Sequence, residues 1–360
     1  MTYDERGRPL QRRRIRRSVR GRTRGEVLRK LGSLRAQGAG QHGAAGQTVA
    51  AFLDDWLERS RLRVRPSTWD RYADVVRVHI VPELGKVRLE RLTPDQVQRL
   101  CIGVHERGRA PRTVAMVRAV LRTALNDAMR RRLVAHNAAE YVDLPRVVSQ
   151  PVPAMTPVGA EAILAAVSGH RIAPLVEVAL ATGLRQGELL GLRWQDVDFD
   201  GNRLSVRWAL QLVEGRLILV EPKTRQSRRT LPLTPGAAAA LRAQRQSQLE
   251  DRLRAGARWQ SDEDFVFTTV TGGPVGGVEL TRTFKRLLVA AGVPPMRWHD
   301  LRHGTASLLI AQGVDLRVVM EVLGHSTIAL TANTYAHVSE ALLGTARDAL
   351  DRALPVRGGS

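Results

Sequence analysis

Apolar positions recur every three or four residues through the first third of the chain, and this spacing predicts helices. TVAAFLDDWLERS (48–60) sets Val49, Phe52, Leu53 and Trp56 on one face behind a Thr48 cap. RPSTWDRYADVVRVHIVPEL begins a second helix at Pro66 and Ser67, and Thr93-Pro94-Asp95 opens a third through TPDQVQRLCIGVHE. In PRTVAMVRAVLRTALNDAMRRR, Val114, Val117, Leu121, Leu125 and Ala128 form the buried stripe of a fourth, with Arg112, Arg118 and Arg122 elsewhere on its surface. RVVSQPVPAMTP then has three prolines and no periodicity, which marks a linker over 147–157.

Beyond the linker the period changes. RLSVRWAL (203–210), RLILVEP (216–222) and RRTLPL (228–233) alternate, with turn residues between them, and predict a small antiparallel sheet with Lys223 at a hairpin turn. FVFTT reads as a further short strand. PGAAAALRAQRQSQLEDRL, ELTRTFKRLLVAAG and a segment beginning near His299 read as helices. Leu343, Ala346, Leu350 and Leu354 make a last helical stripe. The fold class that follows is mainly α with a small antiparallel β-sheet (α+β) in the C-terminal domain, 158–360, and a separate all-α domain over 47–146. No apolar run approaches the ~20 residues of a membrane-spanning helix, so no membrane partner is expected.

Residues 1–46 are different in kind. From Met1 to Arg35, thirteen Arg/Lys face three acids, a net of +10. RRRIRRSVRGRTRGE suggests a strand or arm, EVLRKLGSLRAQ a helix, and AQGAGQHGAAGQ a flexible linker. A small folded module and an unfolded basic tail both fit this composition. The N-terminal charges are not followed by an apolar segment, which excludes a signal peptide reading.

Charge changes the picture next. Fifty-six basic residues against thirty-five acidic ones leave +21 on 360 residues, an excess that favours a polyanionic partner, nucleic acid first. Only four of the fifty-six are lysines (Lys30, Lys86, Lys223 and Lys285). Codon bias offers a neutral account of that skew. Yet arginine cannot give up its proton near neutral pH and lysine can, so Lys223, inside the arginine-rich KTRQSRR, is a candidate proton donor. Taken alone, a solvated turn residue is the bland alternative. The single Cys101 excludes an internal disulfide, suits a reducing cytoplasm, and sits in an apolar helical context that predicts a buried structural thiol.

Six residues of the C-terminal half form a constellation: Arg185 in ATGLRQGELLGLRW, Lys223 in EPKTRQSRRTLPL, His299 and Arg302 in HDLRH, and His325 and Tyr335 in LGHSTIALTANTY. Each motif alone is weak. Together, in this order, they resemble the tyrosine recombinases, the phage-integrase family, over roughly residues 48–345. Gly304 departs from the pattern, in which a small hydroxyl residue is common, and is expected to tune packing near Arg302.

The resemblance implies metal-free and cofactor-free cleavage of a phosphodiester. Arg185 and Arg302 would clamp the phosphate oxygens, each with a planar fork of donors. Tyr335 would be the nucleophile, leaving a 3′-phosphotyrosine. The other tyrosines agree by elimination: Tyr3 is in the basic segment, and Tyr72 and Tyr141 fall in the helical domain, where ring packing is the default. Lys223 would protonate the 5′-hydroxyl, His299 and His325 would donate to the phosphate, and His299 would also accept the tyrosine proton. Glu188 is expected as a buried partner orienting Arg185 or a histidine. His299 and His303 lie at zinc spacing, but with one cysteine and no H-E-x-x-H the zinc reading is poor.

The resemblance further implies an arm-type DNA-binding segment (1–46), a SAM-like core-binding domain (47–146) with Arg112, Arg118 and Arg122 on DNA phosphates, and a catalytic domain. The implied partners are double-stranded DNA at recombination sites, a homotetramer on that DNA with the tail docked on a neighbour, and accessory DNA-bending or directionality factors. The location expected is the cytoplasm of a bacterial host. A type IB topoisomerase, a catalytically silent DNA-binding regulator and a chromosome-dimer resolvase share parts of this profile. The extra basic N-terminal segment favours an integrase.

Overall fold

The computed structural model describes residues 46–146, 154–222, 228–260 and 263–324. Lys223, His325, Tyr335, the basic segment before Gly46 and the stripe at 343–354 lie outside the described residues. The chain divides into two compact units, Met1–Val148 and Ser149–Ser360. Among the described residues no helix is long and apolar enough to cross a membrane.

The first unit is helical throughout. Its elements are α1 (Val49–Arg61), α2 (Pro66–Val75), α3 (Val81–Leu84), α4 (Pro94–Glu106) and α5 (Pro111–Arg130). Thr48 caps α1, and Thr93 with Gln96 forms a reciprocal capping box on α4. A π-helical turn, Val76–Ile80, joins α2 to α3, with the Val81 N–H bonded to the Val76 carbonyl. Pro82 explains it: proline has no N–H, and its ring would strike a carbonyl in a regular α-helix, so the ladder widens by one residue.

Phe52, Leu53, Ile80, Val97, Val114, Leu121 and Leu125 meet in one core, closed by Trp56 stacked on Tyr72 at 5.2 Å. Cys101 is buried in that core, and burial pushes its thiol pKa up. Tyr141, by contrast, is 75 % exposed instead of packed, because it lies past α5 in a loop held by its backbone. Arg118 holds that loop: its guanidinium donates to the carbonyls of Ala139 and Glu140, each at 2.9 Å. One of the three arginines expected on DNA, Arg118, is therefore engaged inside the fold, while Arg112 and Arg122 are exposed.

The second unit comprises α6 (Pro157–Val167), α7 (Ala173–Thr182), α8 (Gln186–Leu190), β1 (Val197–Asp198), β2 (Arg203–Val206), β3 (Ala209–Val213), β4 (Arg216–Val220), β5 (Arg229–Pro232), α9 (Pro235–Ala255), α10 (Gly277–Ala290), α11 (Trp298–Ala311) and α12 (Leu316–Leu323). Its strands form two sheets, not one. β1, β2 and β5 pair antiparallel in that order, and β3 pairs only with β4 among the described residues.

The run 203–210 is therefore two strands. Leu204 and Val206 are buried in alternation, but Ala209 and Leu210 are buried consecutively, so the phase slips at Arg207–Trp208 and the chain changes sheets. The same topology removes the expected hairpin around Lys223, since the strands flanking 221–228 belong to different sheets. FVFTT makes isolated bridges instead of a strand, Phe265 with Arg193 and Thr268 with Pro274, and Phe265, Val266 and Phe267 are all buried. The helix α12 was not anticipated from the sequence.

The short helix α8 is seated on backbone. A Cβ at Gly187 would lie 2.8 Å from the Leu210 carbonyl oxygen, and one at Gly191 would lie 2.8 Å from the Leu210 nitrogen. Gly191 has φ −91°, which alanine adopts freely, so the constraint there is steric. Gly191→Ala should accordingly cost about 1–3 kcal/mol through overpacking against β3. A thermal midpoint equal to that of the parent protein would contradict this account of α8.

Candidate active site

α7 ends at Gly183, a left-handed residue (φ +61°) where a Cβ would fall 2.4 Å from Leu323 Cδ2. Glycine here lets α12 approach the end of α7 closely. Two residues later Arg185 stands at the start of α8, with Glu188 in its first turn. Glu188 Oε2 accepts from the Arg185 backbone N–H at 3.1 Å, and Oε1 accepts from the Arg185 guanidinium at 2.7 Å. Arg185 also donates to the Gly324 carbonyl at 3.0 Å.

α11 brings in the second arginine. Thr305 Oγ1 donates to the Leu180 carbonyl at 2.8 Å and fixes α11 against α7. One turn before it, Arg302 is buried, donating to the carbonyls of Gly183 at 2.7 Å and Leu323 at 2.6 Å. His299 lies on the same side of α11, its ring edge-to-face with His303 at 5.0 Å. Beside Arg302, Gly304 meets Met155: a Cβ there would lie 2.5 Å from the thioether sulfur. The missing side chain is thus replaced by a methionine from the end of the linker.

Sequence reasoning missed a third arginine. Arg229, the first residue of β5, pairs with Val206 of β2, and its guanidinium reaches Glu188 Oε2 at 3.2 Å and the Val322 carbonyl at 2.7 Å. Nothing in RRTLPL distinguishes it from Arg228 beside it; only burial does, at 8 % side-chain exposure against 54 %. Val322, Leu323 and Gly324 are thus each held by a different arginine. These carbonyls close the C-terminal end of α12, where unsatisfied oxygens and the helix dipole favour cations. Gly324 is left-handed (φ +65°) and directs the chain into His325.

The electrostatics follow from burial among cations. Burial alone would raise the Glu188 carboxyl, but the charges of Arg229 and Arg185 and two hydrogen bonds from Arg185 outweigh it and hold its pKa below the usual range. His299 is pushed down to about 4, first by burial of much of its ring, then by His303, Arg302 and Arg185, with Asp300 opposing. It is therefore neutral near pH 7, with one ring nitrogen unprotonated, although the residue is solvent-exposed and a weaker base than a free imidazole. The site offers donors and positive charge to an anion. Among the described residues no group of three or more His, Cys, Asp or Glu side chains is placed to hold a metal.

Comparison with known proteins names the fold and the chemistry class. Residues 154–341 match the model described as the phage integrase family, and residues 48–101 match the phage integrase N-terminal SAM-like domain. The chain belongs to the phage integrase family. A tyrosine recombinase XerC-like protein of Caldanaerobacter subterraneus is 32% identical over 81% of this chain and 79% of the relative. The integrase of Mycobacterium phage L5 is 30% identical over 83% of this chain and 77% of its own length.

Among solved structures, the Tn1549 transposon integrase in complex with a circular intermediate DNA superposes with a TM-score of 0.70 at 22% identity, covering 86% of this chain and all (100%) of that one. A lambda integrase tetramer bound to a Holliday junction gives 0.58 at 19% identity over 86% and 90%. The chain is a tyrosine recombinase, an enzyme that breaks and rejoins DNA strands.

The depressed His299 pKa has a measurable sign. Its unfolded value is higher, so the unfolded chain binds the proton more readily and stability is lost as pH falls from 6.5 toward 4. An NMR titration of the DNA-free protein should find His299 titrating near 4. A midpoint at the ordinary imidazole value would show that the cationic surroundings are not felt.

Proposed function

We propose that this recombinase is the integrase of a phage or integrative element, acting through a 3′-phosphotyrosyl intermediate at Tyr335. The observation that carries the reading is that Arg185 and Arg302, far apart in sequence, converge on the end of α12, from which the chain leads to His325 and Tyr335. Each guanidinium clamps non-bridging oxygens of the scissile phosphate, where charge builds as the nucleophile attacks. The neutral His299 takes the tyrosine proton and donates to the phosphate with His325. Lys223 returns a proton to the departing 5′-hydroxyl. The tyrosyl ester keeps the energy of the broken bond, so joining needs neither ATP nor a metal.

The partner is double-stranded DNA at the recombination sites. Residues 47–146 grip the core of the site, with the exposed Arg112 and Arg122 on phosphates and Arg118 acting mainly to order its own loop. Residues 1–46 add basic contacts outside the core. Exchange between two sites needs four active centres, hence a tetramer on DNA, as the lambda integrase complex illustrates for its own chain. The integrases among the relatives, from Saccharopolyspora erythraea, Streptomyces ambofaciens and mycobacterial phages, support a mobile-element role.

The test is a nicked suicide duplex taken from the ends of the element that encodes the chain. The parent protein should form a covalent adduct that survives denaturation, and Tyr335→Phe should form none. Arg302→Ala should slow adduct formation by about 10²–10³, as loss of a donor to a developing oxyanion does elsewhere. Absence of adduct on every such duplex would sink the reading. Affinity should also fall steeply as salt rises, because counterions are released from each phosphate contacted.

A further inference from the structure

Arg229 has no place in the six-residue constellation, yet it closes a circuit around it. Arg229 bonds Glu188, Glu188 bonds Arg185 through side chain and backbone, and Arg185 bonds the Gly324 carbonyl. Two residues back along the chain, the Val322 carbonyl returns the circuit to Arg229. All of these groups lie within the second unit.

We propose that Arg229 is a positioning residue for strand cleavage and joining, acting through Glu188 and the end of α12. The inference rests on the preceding reading that Arg185 clamps the scissile phosphate. Glu188 holds Arg185 at the start of α8, and Arg229 fixes Glu188 from the side of β5. The same guanidinium holds the Val322 carbonyl, and so the last turn before His325, at a set distance from that clamp. Both contacts need a planar fork: Nε faces Val322 and a terminal NH2 faces Glu188. A lysine keeps the charge but concentrates its donors at one point, so it cannot reproduce both contacts.

A purely structural role would require only that the buried Glu188 charge be balanced. The experiment separates the two roles with Arg229→Lys, Arg229→Gln and the charge-balanced double variant Glu188→Gln/Arg229→Gln in the full chain. Single-turnover adduct formation on the suicide duplex is measured against DNA concentration, with thermal midpoints alongside. For Arg229→Lys the maximal rate should fall about 10²-fold, with the half-saturating DNA concentration changed by about twofold or less, as expected for a small misplacement of reacting groups. The double variant should recover thermal stability lost in Arg229→Gln without recovering the rate.

Parent-like rates per folded molecule in Arg229→Lys, or recovery of the rate in the double variant, would overturn the proposal. If the parent protein gives no adduct, or Tyr335→Phe keeps it, the underlying reading fails and takes this one with it. An adduct from the parent with Arg229→Lys unimpaired removes this proposal alone.

Discussion

A carboxylate withdrawn from water must be matched by positive charge, and Glu188 is matched twice. Its side chain is 4 % exposed, between Arg185 and Arg229. An ion pair this deep contributes little net stability, because desolvation offsets most of the attraction, but removing either partner leaves a costly unpaired charge. The group therefore specifies geometry more than it stabilises the fold. Three elements must arrive together for it to be satisfied: α8 supplies Glu188 and Arg185, β5 supplies Arg229, and α12 supplies the carbonyls that complete both guanidiniums. The sheet serves this end, since pairing of Arg229 with Val206 sets where the second cation enters.

What was legible in the sequence divides along physical lines. The helices of the first unit were readable because each buries one stripe, and period alone betrays a stripe. Arg185 with Glu188 and His299 with Arg302 were readable because each pair lies within one helical turn. The break at Arg207–Trp208 was not, because alternation can slip phase without any glycine or proline to announce it. A pairing of β4 with β5 was expected for the same reason: neighbouring alternating segments suggest a hairpin, and only the pairing of β2 with β5 shows that the chain changes sheets. Arg229 was invisible because a buried and a solvated arginine are spelled alike, and the Val322 carbonyl that it holds is a backbone atom.

That last point bears on the charge of the whole chain. A net of +21 suggests a surface crowded with phosphate ligands. Several arginines instead complete the fold from inside. Arg118 ties down a loop, Arg302 joins the ends of α7 and α12, and Arg229 braces Glu188. Asp127, buried near the end of α5, likewise faces Arg59, Arg63 and Arg130. Guanidinium suits this work because it is weakly hydrated and presents several donors in fixed directions. The charge that draws the protein to a polyanion and the charge that shapes it are carried by one residue type.

The grip on the end of α12 is made on oxygen atoms that every amino acid possesses. The three arginines do not read the side chains of Val322 and Leu323; they read the pitch of a helix and the place where it stops. These contacts make no demand on side-chain identity; what restricts Leu323 is its burial, and Gly324 its left-handed backbone. Adding or deleting one residue would be another matter, since each position turns the helix by about 100° and moves it 1.5 Å. All three carbonyls would then be carried away from their arginines at once. The arginine contacts on this segment are indifferent to spelling and strict about length.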